Sequence, residues 1–179
     1  NNGGDGFVAA KTLAQAGCTV VVVLCMGAPE SGIAADAYRE MTMVQGVSVI
    51  DAHQDINHAV HALQSAALLV DAIFGIGLER PLKDEFLDAA MWFNERRALH
   101  VSLDIPSGLN SETGTWVGDR AGCKADATIS FLSGKVGLFT GLGPMPAAAS
   151  KWKTSVFPFR SPKSAFWKLK ISSMSALRV

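Results

Sequence analysis

Residues 18–26, CTVVVVLCM, form a run of apolar and β-branched side chains broken only by Thr19. A strand with one wet face alternates polar and apolar residues. A run like this one needs cover on both faces, as in a parallel sheet flanked by helices. Its surroundings agree. Residues 7–17, FVAAKTLAQAG, carry apolar side chains at helical spacing and stop on Gly17, a residue suited to a helix C-terminus. After the run, residues 31–46 (SGIAADAYREMTMVQG) place Ile33, Ala37, Met41 and Val44 on one helical face and stop on Gly46.

The alternation continues outward. VSVI (47–50) is a short strand, and DINHAVHALQSA (55–66) a helix with Ile56, Ala59, Val60 and Leu63 inward. ALLVDAIFGIG (67–77) is a strand that breaks at glycine. KDEFLDAAMWFNERR (83–97) is an amphipathic helix, acidic at its start and arginine-rich at its end, as its dipole favours. ALHVSLDIPSG (98–108) and ADATISFL (125–132) are two more strands. Strands in alternation with helices predict an α/β domain. The expected form is a Rossmann-like, doubly wound, mostly parallel sheet with helices on both faces.

At 179 residues the chain is long enough for one domain with a real core. Net charge is zero but unevenly spread. All 16 acidic residues precede Ala147, whereas seven of the 16 Lys and Arg follow it. Cys18, Cys25 and Cys123 have no metal-ligand spacing and lie in apolar contexts, so buried thiols in a reducing cytoplasm are expected. No apolar run reaches the roughly 18 residues of a membrane span. His53, His58 and His61 do not have zinc spacing and read as a solvated helix surface; His100 reads as a packed imidazole.

In open α/β sheets, ligands bind beyond the carboxyl ends of the strands. Three glycine-bearing stretches fall there: NNGGDG (1–6), DAIFGIGLERP (71–81) and DIPSGLN (104–110), with Asp5, Asp71 and Asp104. NNGGDG reads either as backbone amides at a helix start, which favour phosphate, or as a plain helix start with Asp5 as N-cap. Asp71 is either a loop cap or an acid–base group or cation ligand. A charge inside ALLVDAIF is costly unless paired or used, which favours the second. DIPSG is not GxSxG, so a nucleophilic Ser107 has little weight. A nicotinamide dehydrogenase is disfavoured: there is no GxGxxG, and no acid ends the strand at 18–26.

NNGGDGF, VDAIFGIGLERP and VSLDIPSGLNSETG, followed in order by ADATISFLSGKVGLFTGLG, resemble the NAD(P)H-hydrate epimerases, the YjeF N-terminal domain family. The match covers about residues 1–143. The resemblance implies an isomerase that interconverts the R and S forms of hydrated NADH and NADPH at C6 of the nicotinamide ring, so that a stereospecific dehydratase repairs both. In many bacteria that dehydratase shares the polypeptide, and family members are often homodimers. Carried over by position, Asn1, Asn2, Gly3, Gly4 and Asp5 are expected to contact the hydrated nucleotide. Gly75, Ile76, Gly77, Leu78, Glu79, Arg80, Pro81 and Asp104 are expected to do the same. A potassium ion is implied at Asn2, Asp71 and Ser107, all oxygen ligands suited to a hard cation.

The chemistry asks for a proton shuttle. C6 of the hydrate is a carbinolamine. Loss of hydroxide, assisted by the ring nitrogen, gives a planar iminium, and water returning to the other face inverts the centre. Asp71 is the expected shuttle. Departures from the family pattern keep a second reading open, a catalytically silent module that binds a nucleotide or a protein. Ile76 stands where a hydroxyl residue is expected. The family also has a strand and a glycine-containing turn ahead of the asparagines, so the chain is expected to be a fragment lacking its N-terminus. Residues 144–179 are basic and aromatic without clear period, and are expected to be a disordered or artefactual tail rather than a nucleic-acid or membrane surface.

Overall fold

A computed structural model of the chain describes residues 2–143 and the backbone of 153–157. The elements run α1 (Gly3–Gln15), β1 (Val20–Leu24), α2 (Gly32–Thr42), β2 (Val47–Asp51), α3 (Ile56–Leu63), β3 (Leu68–Asp71), α4 (Asp84–Asn94), β4 (Leu99–Leu103), β5 (Ala127–Phe131), a short 3-10 turn (Val136–Leu138) and β6 (Lys153–Phe157). Every paired strand is parallel. This is the expected α/β class, parallel sheets flanked by helices. The boundaries are shorter than the sequence reading: α4 ends at Asn94, so Arg96 and Arg97 lie just past its last turn.

One expectation changes. The strands form two sheets, β1-β2 and β3-β4-β5-β6, rather than one continuous sheet. Among the described strands β1 pairs only with β2, and β3 is the other sheet's edge. Each sheet has its own core. On the small sheet, Phe7 and Ala10 of α1 meet Leu24 and Met41, with Val20, Val22, Val47 and Val49 packed against them. Beside the larger one, Leu69, Leu82, Ala90, Phe93 and Cys123 cluster between β3, α4 and the 121–125 loop. Lys153–Phe157 falls inside the stretch expected as a tail and pairs with β5; the rest of 144–179 lies outside the described residues.

Helix α1 ties the two sheets together. A Cβ on Gly6 would stand 2.7 Å from the Cβ of Ala72, just past β3, so only glycine lets the helix come this close. The helix begins at Gly3, which puts Asp5 in its first turn rather than at the N-cap position. Asn2, the residue at the cap, makes no capping bond; its side chain reaches across to the second sheet instead.

The three thiols are free and differ in environment: Cys18 exposed, Cys25 intermediate, Cys123 buried. Burial pushes the Cys123 thiol well above its ordinary value, with the nearby Asp71 charge adding to the shift, and raises Cys25 too. Thiolate is the reactive form. Under iodoacetamide at about pH 8, Cys18 is therefore expected to be alkylated first, and Cys123 at less than about a hundredth of that rate until denaturant is added. Peptide mass spectrometry over time reads the order; early labelling of Cys123 would show that its enclosure is wrong.

Candidate functional site

The three glycine-bearing strand ends meet. Asn2, at the start of α1, donates from its amide nitrogen to the carbonyl of Leu103 (2.6 Å) and to that of Phe74 (3.3 Å). Ser107 joins the second and third stretches: the Phe74 N–H donates to its hydroxyl oxygen at 2.9 Å, and its own backbone N–H donates to Asp71 at 2.8 Å. The segments that begin at Asn2, at Asp71 and at Asp104 thus meet, through Asn2, Phe74, Gly75 and Ser107, in one rim at the carboxyl ends of β3 and β4.

Beneath the rim lies a polar row set by strand register. Asp71 pairs with Ser102, and Ser102 with Thr128, across three adjacent strands. All three are buried, unusual for polar side chains in a sheet. Asp71 organises the Ser102 end of this row, whereas the buried Thr128 hydroxyl has no hydrogen-bond partner among the described residues. The two Asp71 oxygens accept from the Ser102 hydroxyl (2.8 Å), the Ser107 hydroxyl (2.5 Å), the Ser107 N–H (2.8 Å) and the Ile73 N–H (3.2 Å). Burial raises its carboxyl above the ordinary range, while these hydrogen bonds pull the other way. Asp71 is 2% exposed and ringed by these donors.

Asp104 stands nearer the opening. It adopts a left-handed backbone, φ 65°, which aspartate tolerates better than most residues. One oxygen pairs with the Lys135 ammonium. The other comes within 3.2 Å of where a Cβ on Gly75 would sit, with Asn2 3.7 Å from the same point. Asp5 faces this carboxylate. Partial burial and the charge on Asp104 raise its carboxyl, and Lys135 opposes them.

The family model described as YjeF-related protein N-terminus matches residues 1–137. The chain belongs to this family. Among its curated relatives, the NAD(P)H-hydrate epimerase of Levilactobacillus brevis is 36% identical over 147 residues, 82% of this chain and 64% of that protein. The NAD(P)H-hydrate epimerase of Limosilactobacillus reuteri is 36% identical over 138 residues, 77% of this chain and 61% of that one. The bifunctional NAD(P)H-hydrate repair enzyme Nnr of Salinibacter ruber is 33% identical, covering 82% of this chain and 28% of its own length. The chain thus spans less than two thirds of these relatives. The crystal structure of yeast ynu0 superimposes with a TM-score of 0.72 over 90% of this chain and 63% of that one; at 20% identity the likeness speaks for the fold.

Within this YjeF-related domain the expected site residues fall into two groups. Asn2, Gly3, Gly4, Asp5, Gly75, Asp71, Asp104 and Ser107 come together on or under the rim. Ile76, Gly77, Glu79, Arg80 and Pro81 form an exposed arm leading away, with Leu78 tucked against the β3–α4 core. The arm ends beside a cleft of about 340 Å³ lined by Pro81, Lys83, Asp84, Val117 and Arg120 among others, but not by Asn2, Asp71 or Asp104. Ile76, 60% exposed, presents an apolar surface where a hydroxyl was expected. Asn1 lies outside the described residues.

Sequence reading missed Ser102, Thr128 and Lys135. Lys135 sits in the quoted motif SGKVG, yet nothing local connects it to Asp104, 31 positions earlier. Ser102 and Thr128 are small polar residues inside strand patterns, visible only as imperfect alternation. His100 packs on Phe93 with ring centroids 4.4 Å apart, as expected of a core imidazole. Among the described residues no group of three His, Cys, Asp or Glu is placed to hold a metal, and no helix is long and apolar enough to cross a membrane.

Proposed function

We propose that this domain is an NAD(P)H-hydrate epimerase, acting on hydrated NADH and NADPH at C6 of the nicotinamide ring. The observation that carries the reading is the junction of three loops through Asn2 and Ser107, in a chain whose relatives bear that name. The first turn of α1 presents the backbone N–H groups of a helix start, where the helix dipole favours phosphate. We assign to Asp104, at the rim beside Gly75, the receipt and return of a proton at the departing hydroxyl, a role supported by its nearness to Gly75 and Asn2. Asp71 orders the rim from below by holding Ser107.

The residues also fit a potassium ion. Asp71, Ser107 and Asn2 each carry a side-chain oxygen of the kind a hard cation takes, and Ser107 and Asn2 both reach the Phe74 carbonyl, which supports this part of the reading. Bound there, potassium would supply positive charge that fixes the rim and offsets the ligand's phosphates. The same reading includes a dehydratase, fused or separate, to consume the product; the bifunctional relative supports this. It also includes a reducing cytoplasmic setting, which the free thiols suit.

The experiment is direct. One purified epimer of hydrated NADH is incubated with the protein and the other is followed by chromatography. Acceleration of at least about a hundredfold over the spontaneous rate is expected, the range of positioned acid–base catalysis. Equal rates with and without protein would sink the epimerase reading and leave the binding module.

A further inference from the structure

Lys135 is not a surface lysine with a casual partner. Its side chain is 13% exposed, and so is that of Asp104. Its ammonium donates to the carbonyls of Phe131 (2.7 Å) and Ser133 (3.2 Å) and pairs with one oxygen of Asp104. All three of its hydrogens thus have acceptors inside the protein. An exposed ion pair leaves donors in water and holds its partner loosely; this one is anchored at two backbone points of the β5–turn loop before it reaches Asp104.

Asp104 needs such an anchor. Its backbone is left-handed, its carboxylate faces the like charge of Asp5, and its first oxygen has otherwise only the long Phe131 N–H contact at 3.5 Å. Its second oxygen points toward Gly75 and accepts no hydrogen bond from the described residues. We propose that Lys135 is a positioning residue of this site: by clamping one oxygen of Asp104 it aims the other, as an acceptor, at a hydroxyl of the bound nucleotide. The proposal rests on the epimerase reading and adds a residue and a role to it. Small errors in the placement of a reacting group cost about a hundredfold in rate, so loss of the clamp falls mainly on kcat.

A double-mutant cycle in the full chain tests it, with hydrated NADH as substrate. Lys135→Met is expected to lower kcat/KM by about 10- to 100-fold, mostly through kcat. On an Asp104→Asn background the same change is expected to cost less than about threefold, because the carboxylate it positions is already gone. A loss of equal size on both backgrounds would show a merely structural lysine and overturn the proposal, as would Lys135→Met activity within about twofold of wild type. Lys135→Gln takes the place of Lys135→Met if the latter does not fold. Should Asp104→Asn be too slow to measure, the crystal structure of the lysine variant decides. Asp104 turned away from Gly75 on an unmoved backbone supports the clamp; Asp104 in its original pose removes it. A wild-type chain without epimerase activity defeats the parent reading instead, which is a separate outcome.

Discussion

Asp71→Ala is expected to lower the free energy of unfolding by about 3 kcal/mol or more, read by urea denaturation. The change strips the acceptor from two hydroxyls and two backbone N–H groups at once. A buried donor left unpaired costs about 1–3 kcal/mol, with partial relief where a hydroxyl rotates to a new partner. Asp71→Asn keeps the volume but turns one acceptor into a donor facing other donors, so a smaller loss of about 1–2 kcal/mol is expected. Both variants are expected to slow epimerisation, because Ser107 and the Phe74 N–H it receives lose their reference point. A stability change below about 0.5 kcal/mol for Asp71→Ala would mean the buried row is not held as described.

Gly122→Ala is the second large effect. It adds one methyl group, yet that carbon would stand 1.9 Å from the Ser107 carbonyl oxygen and 2.8 Å from Gly108 Cα. Both neighbours are backbone, so no side chain can swing aside. The adjacent Cys123 N–H donates to that same carbonyl at 2.8 Å, which pins the 121–125 loop against DIPSG. The loops must separate, and Ser107 moves with its strand end. Overpacking of this kind costs about 2–3 kcal/mol. The displaced hydroxyl and N–H leave Asp71, so kcat/KM is expected to fall by about a hundredfold or more. A crystal structure or thermal melt of the variant checks the first part, and the epimer assay the second. Wild-type activity in Gly122→Ala would show that Ser107 need not be held in place.

Much of the class was legible because it depends on local pattern. CTVVVVLCM reads as a strand wherever it sits, and its flanking helices carry their apolar stripes in plain view. The same holds for the site's outline. Glycines at three strand ends mark turns, and parallel strands send those turns to one edge. Asp71 was singled out because a charge in an apolar run needs an explanation. Its surroundings were not legible: Ser102 and Ser107 are 31 and 36 positions away, and only their approach encloses its carboxylate in hydrogen bonds.

What the amino-acid order determined alone was the succession of strands and helices, the positions of the turns, and the three motifs that mark the family. Each depends on neighbours within a few residues, where period and backbone preference act directly. Tertiary structure decided the rest: two sheets joined through α1, the buried row Asp71–Ser102–Thr128, and the pairing of Lys135 with Asp104. These depend on strand register, in which a slip of one residue turns every side chain to the opposite face. No local pattern carries that information, because register is chosen by burial summed over the whole sheet.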